Sequence, residues 1–90
     1  MHRFEWDEKK RILVLDKHGI DLFKATTIFN DRYVMMTATS DIEQRFKAVG
    51  PLDGKLIALV FTHRGEKIRL ITARRARQDE SRAYYNDDDG

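Results

Sequence analysis

The segment from Ile68 to Arg77, IRLITARRAR, carries arginines at the end of an apolar alternation. Ile68, Leu70 and Thr72 alternate with Arg69, Ile71 and Ala73, the period of a half-buried strand, which then closes on Arg74, Arg75 and Arg77. Guanidinium groups stay protonated and present planar forks that match phosphate oxygens. Arg64, just before this strand, and Lys10 and His18, on or just after the first predicted helix, are further cations that folding could bring beside it. Cations converging on a sheet suit a phosphodiester, whose negative charge grows in the transition state of cleavage. Other chemistries find less support. His2, His18 and His63 lack the two-on-one-face spacing of a zinc helix, and there is no glycine-rich phosphate loop, nucleophile elbow or carboxylate pair in an apolar setting. Neither a metal nor another cofactor is expected.

The charge distribution favours a polyanionic partner. From Arg64 to Arg82 seven basic residues face three acidic ones, a net of +4, against +2 for the whole chain. Such a patch suits nucleic acid, although a charged segment is also an ordinary solvated face. Ninety residues suffice for one core, and a hydrophobic fraction of 41% fills it. Without cysteine there is no disulfide framework and no thiolate chemistry. No apolar run approaches the roughly 20 residues of a membrane span, and MHRFEWDEKK has charges where a signal peptide is apolar, so no membrane partner and a cytoplasmic location are expected. The domain is expected to cover residues 1–85, with NDDDG, residues 86–90, as a disordered acidic tail.

The elements that must position these side chains follow from punctuation and period. RFEW suggests a short strand, and Asp7 an N-cap for a helix through ILVL, with Glu8 near the positive end of its dipole. Gly19 can take the left-handed conformation beyond the last turn, where Lys17 and His18 meet open carbonyls. Asp21 can cap a second helix whose Leu22, Ala25, Ile28 and Phe29 form one apolar stripe. The period then becomes two. RYVMMT and QRFKAV read as strands around the turn-prone TSD, and GPLDG as the next turn. KLIALVFT is apolar on both faces and belongs in mid-sheet, and HRGEK turns into the arginine-rich strand. From Ala76 the period is helical again, with Glu80 and Tyr84 one turn apart. The expectation is an α+β domain, an antiparallel sheet with two N-terminal helices and one C-terminal helix packed mainly on one face.

Each candidate has a plain structural reading. His18 beside Gly19 is explained as a helix end, and Lys10 between Lys9 and Arg11 as a solvated face. Arg69, expected on the strand face of Ile71 and Ala73, needs a partner or a ligand there. Arg75 and Arg77 fit the entry to the last helix. Phe4, Trp6, Phe29 and Phe61 are most simply core residues.

FEWDEKK, KHG, FNDR, QRF and IRLITARRA, with Glu80 and Tyr84 following, resemble the BrnT family of bacterial type II toxins from about Phe4 to Tyr84. Val14 stands where that family often has Asn, and Asn30 where Asp is usual. The resemblance implies a RelE-like fold, an endoribonuclease that cuts RNA and blocks translation, and neutralisation by a BrnA-like ribbon-helix-helix antitoxin. Two toxin and two antitoxin chains would assemble, with operator DNA bound only through the antitoxin. The family pattern falls on Lys10, Lys17, His18, Arg45, Arg64, Arg69, Arg74, Glu80 and Tyr84. Metal-free cleavage by the ribose 2′-hydroxyl needs a proton acceptor, a donor and cations for the phosphorane. Arg64 and Arg74 are therefore assigned to the phosphate, and His18 and Lys10 to proton movement. Glu80 is either catalytic or orients an arginine. Lys17, Arg45, Arg69, Arg75, Arg77 and Tyr84 would contact RNA. The competing class is a non-catalytic basic protein that holds an acidic partner or nucleic acid.

Overall fold

The computed structural model describes residues 3–38 and 43–86. The order is β1 (Arg3–Glu5), α1 (Glu8–His18), α2 (Leu22–Ala25) running into a 3-10 turn (Thr26–Asn30), β2 (Val34–Ala38), β3 (Arg45–Leu52), β4 (Lys55–Arg64), β5 (Lys67–Arg75) and α3 (Gln78–Asn86). The TSD turn and the tail beyond Asn86 lie outside the described residues.

Local capping sets the first half. Asp7 accepts a hydrogen bond from the Lys9 backbone N–H at 2.9 Å, and Gly19, at φ 70°, returns its N–H to the Leu15 carbonyl, so α1 has the ends its sequence predicts. Asp21 caps α2 through the Phe23 N–H, and its carboxylate also takes two hydrogen bonds from Arg11, at 2.6 and 3.1 Å, which ties the two helices together. Of ILVL in α1 only Val14 is buried, while Ile12, Leu13 and Leu15 are half or more exposed.

The sheet order is β1-β5-β4-β3-β2, with β4 at the centre as its unbroken apolar run requires. The sheet is mixed: β1 pairs with β5 in parallel, Glu5 opposite Arg69, whereas the other neighbours are antiparallel. The α+β class stands, with this one pairing departing from an all-antiparallel sheet. An outer strand joined through α1 and α2 returns to the sheet by a crossover, and a crossover allows a parallel neighbour where a tight hairpin does not.

Period-two alternation divides β4 between two layers. Ile57, Leu59 and Phe61 join Leu22, Ala25, Ile28, Ala48, Leu70 and Ala73 in the core beneath α1 and α2. All nine are at most 1% exposed, and truncating one large member, such as Leu59→Ala, costs about 2–5 kcal/mol. The opposite face carries Ala58 and Val60 of β4, flanked by Val49 and Lys47 of β3 and by Arg74 and Thr72 of β5. The third helix lies on that second face, because Glu80 of α3 reaches both Lys47 and Arg74. Two helices thus share one face, and the last is set against the other.

Two expectations are corrected. The turn after β3 is Asp53-Gly54 alone, with φ of 53° and 79°, the left-handed pair of a two-residue hairpin that suits an Asp-Gly sequence. Gly50 and Pro51 belong to β3 itself. Counted from the hairpin-closing pair Leu52–Lys55, the nitrogen of Pro51 points away from β4. The pairing with β2 has ended at Val49, so no ladder bond is lost there. A register shift between Val60 and Phe61 also places Ala73 opposite Leu59 in the core while Arg69 lies opposite Thr62, so the two do not share a face. No helix of the described residues is long and apolar enough to cross a membrane.

Candidate active site

Arg69 of β5, Arg45 of β3 and Arg64 of β4 share the sheet face that carries Thr62, and they gather at the end of that face away from α3. Lys10, in the first turn of α1, reaches the same place. Together they line a cleft of about 200 Å³ whose other walls are Asp7, Glu43, Leu70 and Ile71. Four cations from four elements face two carboxylates. The outcome is a small concave site with an excess of positive charge, whose field favours an anion.

Each cation is aimed by its element. Arg69 is held by Glu5, its parallel cross-strand neighbour, at 3.5 Å. The Arg45 Nε lies 3.6 Å from a Glu43 carboxylate oxygen and is buried without a hydrogen bond among the described residues, although its side chain is still 31% exposed. A buried guanidinium N–H left in that condition carries a desolvation cost that an anion in the cleft would relieve. Arg64, the last residue of β4, is exposed and held at its Cα by pairing with Lys67. Lys10 follows the Asp7 cap, so the helix start fixes where it begins.

A second groove, of about 550 Å³, adjoins the cleft and is lined by Lys10, Leu13, Val14, Asp16, Lys17, His18, Ile71 and Thr72. Lys10 and Ile71 border both. His18 and Lys17 therefore sit next to the cationic cleft without lining it, and His18 keeps the helix-end position its sequence suggests. Arg75, opposite Ile57, falls on the helix-covered side and lines a separate hollow of about 300 Å³ with His18 and Gly19.

Arg74 and Glu80 do not join the cleft. The Glu80 carboxylate is fully buried and accepts from Arg74 Nη1 at 2.7 Å, Arg74 Nη2 at 2.8 Å, Lys47 Nζ at 2.8 Å and the Arg77 N–H at 2.8 Å. The Arg74 guanidinium, opposed by burial and helped by the Arg77 N–H and Lys47, draws the Glu80 carboxyl down to about 2, and the pairing raises Arg74 in turn. Such a carboxylate is a poor proton acceptor and out of reach of a substrate. An Arg74 fork closed on both oxygens is not free for a phosphate. Glu80 thus holds the Arg74 fork, and Arg74, expected from sequence at the phosphate, lies outside the cleft.

Arg77 contributes its backbone to this cap of α3 and leaves an exposed side chain. Tyr84 lies under the Arg32 guanidinium, 4.2 Å from its carbon to the ring centroid, and its carbonyl accepts from Arg32 Nη2, so this ring face is already covered.

Of the residues singled out from sequence, the structure brings Lys10, Arg45, Arg64 and Arg69 together, places Lys17 and His18 in the next groove, and sets Arg74, Arg75, Arg77, Glu80 and Tyr84 apart. Sequence reasoning missed Glu43 and Lys47. Glu43 stands two residues before Arg45, a spacing that puts both side chains on one side of an extended chain, and that spacing could have found it.

Residues 6–80 match the family model described as the ribonuclease toxin BrnT of type II toxin-antitoxin systems. No curated protein matches the sequence.

Proposed function

Because the chain belongs to the BrnT family of ribonuclease toxins of type II toxin-antitoxin systems, a family that implies an antitoxin partner, we propose that its cationic cleft cuts RNA without a metal ion. The observation that carries this reading is the meeting of Lys10, Arg45, Arg64 and Arg69 in one cleft. Arg64, Arg69 and Arg45 hold the non-bridging phosphate oxygens, and their attraction grows as the phosphorane gains its second negative charge. Lys10, the one lysine lining the cleft, donates a proton to the departing 5′-oxygen. Four cations against two carboxylates make a poor seat for a divalent ion and a good one for a phosphate. Lys17 extends the positive surface along the neighbouring groove, which His18 also lines, for the adjoining nucleotides.

In the same proposal, RNA cleavage in the cytoplasm blocks translation. A BrnA-like ribbon-helix-helix antitoxin neutralises the toxin in an assembly of two chains of each, and operator DNA is bound only by the antitoxin. The α+β frame is read as RelE-like. The test is cleavage of a labelled RNA by the purified chain in excess EDTA. Products ending in a 2′,3′-cyclic phosphate and a 5′-hydroxyl are expected; activity that vanishes with chelation and returns with magnesium would refute the mechanism.

A further inference from the structure

We infer that Glu43 is the general base that takes the proton from the ribose 2′-hydroxyl, an inference that rests on reading the cleft as an RNA-cleaving site. A cleft of cations can bind a phosphate and stabilise its transition state, yet attack still requires an acceptor for the 2′-hydroxyl proton. Only two carboxylates line the cleft among the described residues, Asp7 and Glu43. Asp7 is engaged as the helix cap, with Oδ1 on the Lys9 N–H at 2.9 Å. Glu80 is sealed beneath α3, and His18 borders the next groove.

Glu43 has the remaining properties. Its side chain is 32% exposed, enough to meet a substrate, and its Oε1 lies 3.6 Å from Arg45 Nε, which restrains the carboxylate beside a phosphate-binding cation. Among the described residues, the charged groups that line the cleft with it are Arg45, two residues further along, Arg64 from β4, Arg69 from β5, and Lys10 and Asp7 from the start of α1.

Glu43 takes the 2′-hydroxyl proton as the oxygen's electron pair forms the bond to phosphorus. The bond from phosphorus to the 5′-oxygen breaks, its pair goes to that oxygen, and Lys10 supplies the proton. Glu43 ends protonated and Lys10 neutral, and exchange with water restores both. No oxidant, reductant or metal enters the balance.

The test compares the wild-type chain with Glu43→Gln and Glu43→Asp. Substrates are a labelled RNA and a uridine 3′-(4-nitrophenyl phosphate), whose leaving group needs no acid. Glu43→Gln is expected to lower the single-turnover rate at least about a hundredfold on both, and to flatten the acidic side of the pH profile. RNA affinity should hold or rise, because a negative charge has left a cationic cleft. Lys10→Met should lose more on RNA than on the nitrophenyl ester, whereas Glu43→Gln should lose about equally on both, which separates base from acid.

Glu43→Asp moves the carboxylate back by one methylene and should slow the reaction while keeping the acidic limb. This comparison decides the matter if the Gln variant loses its circular dichroism. An active wild type with Gln or Asp variants that match its rate and pH profile would overturn the role of Glu43 alone. A wild type inert on both substrates would overturn the ribonuclease reading and this one together.

Discussion

Arg74 and Glu80 face each other as a two-pronged pair, Nη1 to Oε1 at 2.7 Å and Nη2 to Oε2 at 2.8 Å, with the carboxylate wholly out of water. This pair joins the end of β5 to the start of α3, and Lys47 of β3 completes it. We predict that Arg74→Ala destabilises the fold by about 3–5 kcal/mol, the range for a buried charge robbed of its partner, with Lys47 holding the loss to the lower end. Cleavage per folded molecule should stay near wild type. Urea unfolding followed by circular dichroism, with activity corrected for the folded fraction, checks both statements.

The same carboxylate sets an acid limit. Its folded value of about 2 lies below the 4.5 of a free glutamate, so in that interval the unfolded chain binds more protons and stability rises with pH. The contribution of Glu80 is complete above about 4.5 and drains away as pH falls towards about 2. Urea midpoints across that window should fall more steeply for wild type than for Glu80→Gln, which has no proton to gain there. Parallel curves would mean that Glu80 is not the group responsible.

Arg64 and Arg77 are both exposed, but only Arg64 lines the cleft. Arg64→Ala is expected to slow cleavage by about a hundredfold or more, the loss typical of removing one preorganised donor from a transition state. Arg77→Ala should cost a few-fold at most, mainly as salt-dependent affinity. Each should change stability by no more than about 0.5 kcal/mol. Equal small losses in single-turnover assays would show the arginines to be a diffuse anion-binding surface.

In bacteria, expression of the wild-type chain without an antitoxin should arrest growth and depress amino-acid incorporation, and Arg64→Ala at equal soluble level should not. Arrest by both proteins would place the toxic action outside the cleft.

Local chemistry was legible in the sequence, and long-range chemistry was not. Asp7, Gly19 and Asp21 mark helix ends through bonds to residues within four positions, so their types alone announce them. KLIALVFT announces mid-sheet because apolar side chains on both faces need cover on both. Nothing local tells Arg3–Glu5 to lie parallel to Lys67–Arg69, and one bulge opposite Val60 and Phe61 was enough to move Ala73 to the other face. GPLDG misled because Gly50 and Pro51 are turn formers by propensity. Gly50 serves instead as a seat for the side chains of Ile28 and Tyr33, whose Cβ atoms lie 3.2 and 3.4 Å from where a Cβ on residue 50 would stand.

The cleft was half legible for the same reason. Basic residues on an alternating strand predicted a cationic face, and the face exists. Which arginine lines the cleft depended on where α3 folds back, and α3 takes up Arg74 while Arg64 and Arg69 line the cleft. The six-residue separation of Arg74 and Glu80 spans a strand and a helix, so neither a period of two nor one of 3.6 reveals it.

The parallel pairing of β1 with β5 has a consequence for the order of synthesis. Phe4 meets Ile68, so the first strand has no partner until β5 has been made, and closing so long a loop is slow compared with forming the β3–β4 and β4–β5 hairpins. Lys10 is in place with the N-terminus, whereas Arg64 and Arg69 arrive only with β4 and β5. A growing chain therefore carries no assembled cleft until β5 has emerged and folded onto β4.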